Sequence, residues 1–422
     1  MNTVEIKTVK GLDAVVEVPG SKSYTQRALA IASLAKGESR LRNVLLSRDT
    51  AYLADALRAL GARIEIAGKD IYITGTGGKI ANPGRTLYLG NNGTAIRFLS
   101  SLVSLGKGEF VLSGDRRLCE RPVGPLLDAL KMLGVDARAE KGDGCPPVVV
   151  AARGIRGGPV ILTDIESSQF ISSLLISAPY AENEVEIALR GKAVSLPYIE
   201  MTLDVMAAFG AEVTRSSPAS FIVHNRRQYT GRDYIIEGDI SSASYFFLAA
   251  ALCRGRVRVL NVNPYTRQGD IGVLRIMERF GCSVVAADSW IEVSGGEIKD
   301  GEVVLDMRDM PDMVPTLSVL ASFRKGKTVI RGAAHLRHKE SNRIETVARE
   351  LRRIGAHAEE TPDGLVISGG SLRGCEIETY DDHRIAMSFA IAGLAVAGIR
   401  IRDGQCVNKS FPGFWDELEK LY

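Results

Sequence analysis

With six cysteines and five histidines among its 422 residues, the chain has little of what metal centres and disulfide frameworks are built from. The cysteines, at 119, 145, 253, 282, 375 and 406, are scattered, form no CxxC pair and have no histidine at ligand spacing. That argues against zinc, and a core of this size needs no disulfides. A membrane-spanning run is missing too. The longest apolar stretch, Ile385 to Ile399, falls short of the ~20 residues needed to cross a bilayer, so a fully buried helix is expected there. Met1 to Pro19 has neither the apolar segment nor the small-residue cleavage site of a secretory leader, and cytoplasmic residence is the expectation. An excess of one charge is also absent. Lys plus Arg is 53 and Asp plus Glu is 50, a net charge of +3. Without a polybasic tail this speaks against a general nucleic-acid or membrane-surface binder, though not against small anionic ligands. What remains is an ordinary globular composition, 45% hydrophobic and 24% charged, with one abundance, 43 glycines. Such a count calls for many tight turns or many copies of one turn.

Many copies of one turn are present. Ala59-Leu60-Gly61-Ala62, Met132-Leu133-Gly134-Val135, Ala208-Phe209-Gly210-Ala211, Arg279-Phe280-Gly281-Cys282 and Arg353-Ile354-Gly355-Ala356 share a pattern. In each, an amphipathic helical stretch ends on glycine and a strand-like stretch follows. The glycine suits the residue after a helix, where positive φ is cheap only without a Cβ. These glycines are 73, 76, 71 and 74 residues apart, and Pro412 to Leu421 reads as a sixth such helix. A second, more uniformly apolar class of helix interleaves, at roughly 21–36, 91–106, 166–181, 239–254, 312–325 and 382–397, and is expected to be buried. Five of its members end at Gly37, Gly108, Gly255, Gly326 and Gly398. The unit is about 70 residues with two helices and several strands. Solenoid periods are usually shorter, ~20–50 residues, so two three-repeat domains fit better.

Chemistry gathers where the buried helices start: Ser21-Lys22-Ser23, Asn91-Asn92-Gly93-Thr94, Ser167-Ser168-Gln169, Ser241-Ser242-Ala243-Ser244, Pro311-Asp312-Met313 and Asp381-Asp382-His383-Arg384. Helix N-termini favour anions through free N–H groups and the positive dipole end. At any one helix a Ser, Asn or Asp is an ordinary cap. Six polar starts, with Lys and Arg among them and Arg27 and Arg97 near the first or second turn, point to an anion-seeking pocket whose charge is balanced elsewhere on the chain. Pro19-Gly20-Ser21-Lys22-Ser23 lacks the spacing of a Walker A loop. Lys339 and Arg343, four apart, are expected on one helical face with Glu340 between them in sequence. His383-Arg384 at the head of an apolar helix is costly unless it serves a site or a partner. His335 and His338 have no third ligand nearby and read as two surface histidines rather than a metal site.

Taken in order, these motifs resemble a known family. They are Pro19-Gly20-Ser21-Lys22-Ser23 with Arg27, Leu89-Gly90-Asn91-Asn92-Gly93-Thr94-Ala95-Ile96-Arg97, Glu120-Arg121-Pro122, Ser167-Ser168-Gln169-Phe170, Pro197-Tyr198-Ile199, Asp312, Lys339-Glu340-Ser341-Asn342-Arg343, Asp382-His383-Arg384 and Lys409. From residue 19 to residue 409 the chain is similar to the EPSP synthase family, the 3-phosphoshikimate 1-carboxyvinyltransferases. The resemblance implies an α/β protein of two globular domains, each three βαβαββ repeats with buried parallel helices, an inside-out α/β barrel. Residues 1–18 with 239–422 would form one domain and 19–238 the other, with the active site in the cleft between them. The implied reaction transfers the enolpyruvyl group of phosphoenolpyruvate to the 5-hydroxyl of shikimate 3-phosphate through a tetrahedral intermediate, on the route to chorismate and the aromatic amino acids. It implies no metal or organic cofactor, no nucleic-acid or membrane partner, and a monomer. Glyphosate inhibition is expected from the Gly93-Thr94 context.

Residue by residue, the resemblance implies that Lys22, Ser23, Arg27, Ser167, Ser168, Gln169, Ser195, Tyr198, Asp312 and Lys339 hold shikimate 3-phosphate. Lys22, Gly93, Arg121, Gln169, Arg343, Arg384 and Lys409 would hold phosphoenolpyruvate, with Asn91, Thr94, Arg97 and His383 in support. Asp312 is the expected base toward the 5-hydroxyl and Glu340 the proton donor to the methylene, with Lys22 assisting. Arginine suits substrates that carry phosphate and carboxylate, since it recognises both bidentately. The chain departs from the family pattern at Asn92, where a small residue is more usual, and at Phe98, Leu196, His335 and Asn342. A UDP-N-acetylglucosamine 1-carboxyvinyltransferase would have Lys-Asn at the first motif, whereas Ser23 follows Lys22 here. An RNA 3′-phosphate cyclase would carry a wider basic surface, and a noncatalytic repeat scaffold leaves the charged starts of buried helices unexplained.

Overall fold

Alanine, serine and aliphatic residues fill the helices marked as buried, and those helices make the interior. Described are residues 3–193 and 195–422 of a computed structural model. One compact unit is Ser21–Ile236, and the other joins the N-terminal residues up to Gly20 to Glu237–Tyr422. Each unit has its own apolar core.

The continuous unit carries α1 (Lys22–Leu34), α2 (Arg48–Ala59), α3 (Gly93–Leu102), α4 (Gly124–Met132), α5 (Ser168–Ser177) and α6 (Pro197–Ala208). The discontinuous unit carries α7 (Ile240–Cys253), α8 (Val273–Arg279), α9 (Val314–Ser322), α10 (Arg343–Arg353), α11 (His383–Ala395) and α12 (Phe414–Glu419). Odd-numbered helices are buried nearly all round; every residue of α9 is inside. Some of the serines in and just after these helices bond back to the preceding turn: Ser100 Oγ donates to the Ile96 carbonyl at 2.7 Å and Ser104 Oγ to the Ser100 carbonyl at 2.9 Å. Serine pairs also link helices, as between Ser101 of α3 and Ser173 of α5 at 2.6 Å. Even-numbered helices are amphipathic. In α10, Ile344, Val347, Ala348 and Leu351 form the inward stripe at helical spacing.

One repeat illustrates the unit. Strand Leu87–Tyr88 leads through α3 to the parallel strand Gly108–Ser113, then through α4 to the hairpin Asp136–Ala139 and Val148–Ala152. The last strand of the hairpin pairs antiparallel with Gly108–Ser113, so the sheet order is first, second, fourth, third. Five four-stranded sheets among the described residues share this arrangement, and in one of them the outer parallel strand, Asp233–Ile235, comes last in the chain rather than first. In the sixth repeat α12 is short, and the sheet is three-stranded, with the N-terminal strand Thr3–Glu5 antiparallel to Arg400–Arg402.

The chain passes between units at two strand-to-helix turns. Strand Asp13–Glu17 pairs parallel with Arg256–Leu260 in the discontinuous unit, but the next helix is α1 of the other. Strand Asp233–Ile235 pairs parallel with Glu38–Arg42 in the continuous unit, but the next helix is α7. The two passages touch through a Gly20–Gly238 bridge and an Asp239 N–H to Pro19 carbonyl bond of 2.9 Å.

All five glycines that end the even-numbered helices α2 to α10 have φ of 83–108°. Gly37, Gly108, Gly326 and Gly398 are left-handed too, but after α7 it is Arg254, with φ 50°, that takes this conformation in place of Gly255. Gly255 is constrained differently, because a Cβ there would lie 2.4 Å from the Leu12 carbonyl oxygen. No helix among the described residues is long and apolar enough to cross a membrane.

Candidate active site

In the continuous unit the charged groups cluster where α1, α3 and α5 begin. Four of the six buried helices have a side-chain cap: Asn92, Ser167, Asp239 and Asp382 each accept from a backbone N–H of the first turn. Lys22 opens α1, and its Nζ lies 2.7 Å from a carboxylate oxygen of Asp49, which is almost fully buried. Ser23 follows, and its carbonyl accepts from Arg27 Nη1 at 3.0 Å. Arg27 is 1% exposed. Its Nε donates to Thr202 Oγ1 at 2.8 Å, and its Nη2 to the Tyr198 carbonyl at 3.0 Å and to Ser172 Oγ at 3.3 Å. The guanidinium also lies over the rings of Phe98 and Tyr198. Burial pulls Arg27 down to about 10, which leaves it charged at neutral pH.

Arg97 and Gln169 join α3 to α5. Arg97 Nη1 donates to Gln169 Oε1 at 2.5 Å, while Gln169 Nε2 donates to Thr94 Oγ1 at 3.0 Å. Arg97 Nη2 reaches the Pro122 carbonyl at 2.9 Å, one residue past Arg121. Arg121 is buried, and its Nη1 donates to Asn91 at 3.3 Å and 3.4 Å. Gly93 lies directly beneath that guanidinium: a Cβ at 93 would be 2.4 Å from Cζ and Nη2. Ser168 is the first residue of α5 and is buried. Ser195 lies in the turn into α6, buried and left-handed with φ 59°, and its carbonyl accepts from Tyr198 N–H at 3.1 Å.

In the discontinuous unit one arginine organises the cluster. Arg343 is 1% exposed and is held by three carboxylates. Its Nη1 donates to Asp312 at 2.9 Å, its Nη2 to Glu340 at 2.8 Å, and its Nε to Asp382 at 2.8 Å. Arg384 Nη2 reaches the other oxygen of Asp312 at 2.7 Å, and its Nη1 the Tyr245 hydroxyl at 3.3 Å. Lys409 Nζ stands 3.9 Å from Glu340. Burial opposes ionisation of Asp312, but Arg384, Arg343 and Lys339 outweigh it and hold the carboxyl below the usual carboxylate range. Burial likewise opposes the charge on Arg343, and Asp382, Glu340 and Asp312 overcome it. His383 is buried beside Asp382, with Nδ1 3.9 Å from a carboxylate oxygen.

Three sequence expectations are corrected here. Lys339 and Arg343 do not share a helical face. Asn342 caps α10, so the helix starts at Arg343 and Lys339 lies in the preceding loop. His335 is not a surface residue: it is buried in the short helix Ala334–His338, and burial with the Lys339 charge pulls it down to about 3, so it is neutral. The charge of four of the assigned cations is met locally rather than elsewhere on the chain: Asp49 faces Lys22, and Asp312, Glu340 and Asp382 face Arg343, Arg384 and Lys409.

A sequence profile of EPSP synthase (3-phosphoshikimate 1-carboxyvinyltransferase) matches residues 6–418. The chain belongs to the EPSP synthase family. A 3-phosphoshikimate 1-carboxyvinyltransferase of Methanoculleus marisnigri is 44% identical over 417 residues, 98% of each chain. One of Nostoc punctiforme is 42% identical, covering 100% of this chain and 99% of the relative. An EPSP synthase structure from Acinetobacter baumannii superposes with a TM-score of 0.81 at 28% identity, covering 99% of this chain and 98% of that one.

Against the EPSP synthase motifs, sequence reasoning missed Asp49, Asp270 and Tyr245 and gave no role to Asp382. Asp49 reads as an ordinary acid in the first turn of a capped helix. Asp270 is almost fully buried, accepts from the Ser241 hydroxyl and is pushed up to about 7, first by burial and then by the charge of Asp312. The signal that was available was Asp382 itself, an acid at the head of a buried helix beside His and Arg.

Proposed function

We propose that this chain transfers the enolpyruvyl group of phosphoenolpyruvate to the 5-hydroxyl of shikimate 3-phosphate. The products are 5-enolpyruvylshikimate 3-phosphate and phosphate, and the step belongs to the shikimate pathway toward chorismate and aromatic amino acids. Family membership over nearly the whole chain supports it. The observation that carries the chemistry is the concentration of cations at the helix starts: buried Arg343 and Arg384 around Asp312 and Glu340 in one unit, and buried Arg27, Arg97 and Arg121 with the partly exposed Lys22 in the other. In this reading the two sets act on the same pair of substrates, which together carry two phosphates and two carboxylates.

In the addition step the donor's methylene carbon gains a proton and the 5-oxygen bonds to the neighbouring carbon as the hydroxyl proton leaves. In the elimination step the C–O bond to phosphate breaks and the new methyl group returns a proton. Two carboxylates serve these transfers, Asp312 toward the hydroxyl and Glu340 toward the methylene. Both are bonded to arginine in this structure, and such a carboxylate is a weak base. An anionic donor competes for the same guanidinium groups. Donor binding at Arg343, Arg384 and Lys409 therefore loosens Asp312 and Glu340 from their partners and raises their basicity when the substrate is in place. Shikimate 3-phosphate is assigned to Ser23, Arg27, Ser167, Ser168, Gln169, Ser195, Tyr198 and Lys339. A cytoplasmic location accords with six free cysteine thiols.

The test is phosphate release from phosphoenolpyruvate, with shikimate 3-phosphate and UDP-N-acetylglucosamine offered side by side. Release is expected with the first acceptor and not the second; the reverse outcome overturns the assignment.

A further inference from the structure

We propose that Asn92 and Asp49 are positioning residues that set the place of Lys22 and of the Gly93–Arg121 contact together. The proposal rests on the reading of Lys22 and Arg121 as donor-handling groups, and it concerns residues to which that reading gives no role. Asn92 is 1% exposed and uses both ends of its amide. Its Oδ1 caps α3, accepting from Thr94 N–H at 3.1 Å and Ala95 N–H at 2.9 Å. Its Nδ2 donates to the backbone carbonyl of Asp49 at 2.8 Å. That single side chain therefore ties the start of α3, in the second repeat, to the first turn of α2, in the first repeat. The Asp49 side chain then grips Lys22 Nζ at 2.7 Å. On the other side of Asn92 the next residue is Gly93, on which the Arg121 guanidinium rests.

Each link has a physical reason. Lys22 has a long flexible stem, and a buried carboxylate at ion-pair distance restricts where its ammonium group can go. Helix α2 holds the Asp49 backbone, and the bond from Asn92 to its carbonyl fixes that first turn against the start of α3. An alanine at 92 supplies neither the cap nor the tie. A serine supplies a cap acceptor but is too short to reach the Asp49 carbonyl while capping. The two functions of Asn92 are thus separable by substitution.

The full-length protein carries the test through four variants: Asp49→Asn, Asp49→Glu, Asn92→Ala and Asn92→Ser. Two readouts are taken beside the melting temperature. One is steady-state phosphate release with separate KM values for phosphoenolpyruvate and shikimate 3-phosphate. The other is the rate at which an amine-reactive acylating reagent modifies Lys22, followed by peptide mass spectrometry, which needs no activity. Asp49→Asn is expected to raise KM for phosphoenolpyruvate and the Lys22 modification rate roughly tenfold each, the scale of losing one charge-assisted hydrogen bond. Asp49→Glu is expected to recover much of both. Asn92→Ser is expected to restore the melting temperature relative to Asn92→Ala, yet to keep the raised KM and the faster modification. Unchanged Lys22 modification in Asp49→Asn and Asn92→Ser overturns the proposal, as does a change in melting temperature alone. Absence of phosphate release by the unsubstituted protein would instead overturn the functional reading and leave the labelling result to decide this one.

Discussion

At the scale of single residues, Gly93 is a matter of contact rather than of backbone conformation. A methyl group there would meet three atoms of the Arg121 guanidinium at 2.4–2.6 Å. The guanidinium is the far end of a flexible side chain, so Gly93→Ala is expected to fold normally and to push Arg121 aside by about an ångström. Displacements of that size cost catalysis about 10- to 100-fold. The expected result is a raised KM for phosphoenolpyruvate with an unchanged melting temperature, and an unaltered KM would contradict the assignment of Arg121. Asp270 gives a prediction in stability. Its carboxyl titrates near 3.8 when unfolded and near 7 when buried. The folded chain therefore binds this proton more tightly, and ionisation between those values favours unfolding. The associated stability is full below the unfolded value and is lost as pH rises through about 7. Asp270→Asn cannot ionise there, so its melting temperature should gain on that of the unsubstituted protein between pH 5 and pH 8. A difference that is the same at both pH values would refute the burial argument.

At the scale of elements, two serines in the same repeat show that a cap is defined by geometry and not by residue type. Ser47, before α2, has an extended backbone, and its hydroxyl accepts from Thr50 N–H at 3.3 Å. Ser21, before α1, has φ −59° and ψ 124°, makes no side-chain cap bond, and buries a hydroxyl with no hydrogen-bond partner. Ser47→Ala should cost about 1 kcal/mol in denaturant unfolding, while Ser21→Ala should be neutral or slightly stabilising because it removes an unsatisfied buried group. Equal losses at both positions would count against this distinction. The same geometry explains the displaced start of α10, where the cap at Asn342 leaves Lys339 and Glu340 in a loop.

At the scale of the molecule, the unit Ser21–Ile236 completes its own first sheet, because Asp233–Ile235 supplies the parallel neighbour of Glu38–Arg42. Expressed alone, that segment should fold and unfold cooperatively. The segment Glu237–Tyr422 lacks Asp13–Glu17 and Thr3–Glu5, which leaves Arg256–Leu260 and Arg400–Arg402 with unpaired edges. It should aggregate unless a peptide covering residues 3–20 is supplied, since open strand edges invite association. Circular dichroism and chemical denaturation of the two segments check this, and a non-cooperative Ser21–Ile236 segment would refute it.

The repeat, the two classes of helix and the helix-ending glycines follow from the sequence by itself, because each depends on residues within a turn or two of one another. Periodicity decides which face is buried, and a missing Cβ decides where positive φ is cheap. The polar and charged residues that open the buried helices are legible for the same reason. The tertiary structure alone decided which charge meets which. Lys22 finds Asp49 in a different helix, Arg384 finds Asp312 across 72 residues, and Arg343 gathers Asp312, Glu340 and Asp382. A spacing of four promised a shared helical face for Lys339 and Arg343, and a cap bond at Asn342 undid it. Local pattern specifies the backbone; the pairing of buried charges depends on which helix ends the packed repeats bring within hydrogen-bond distance.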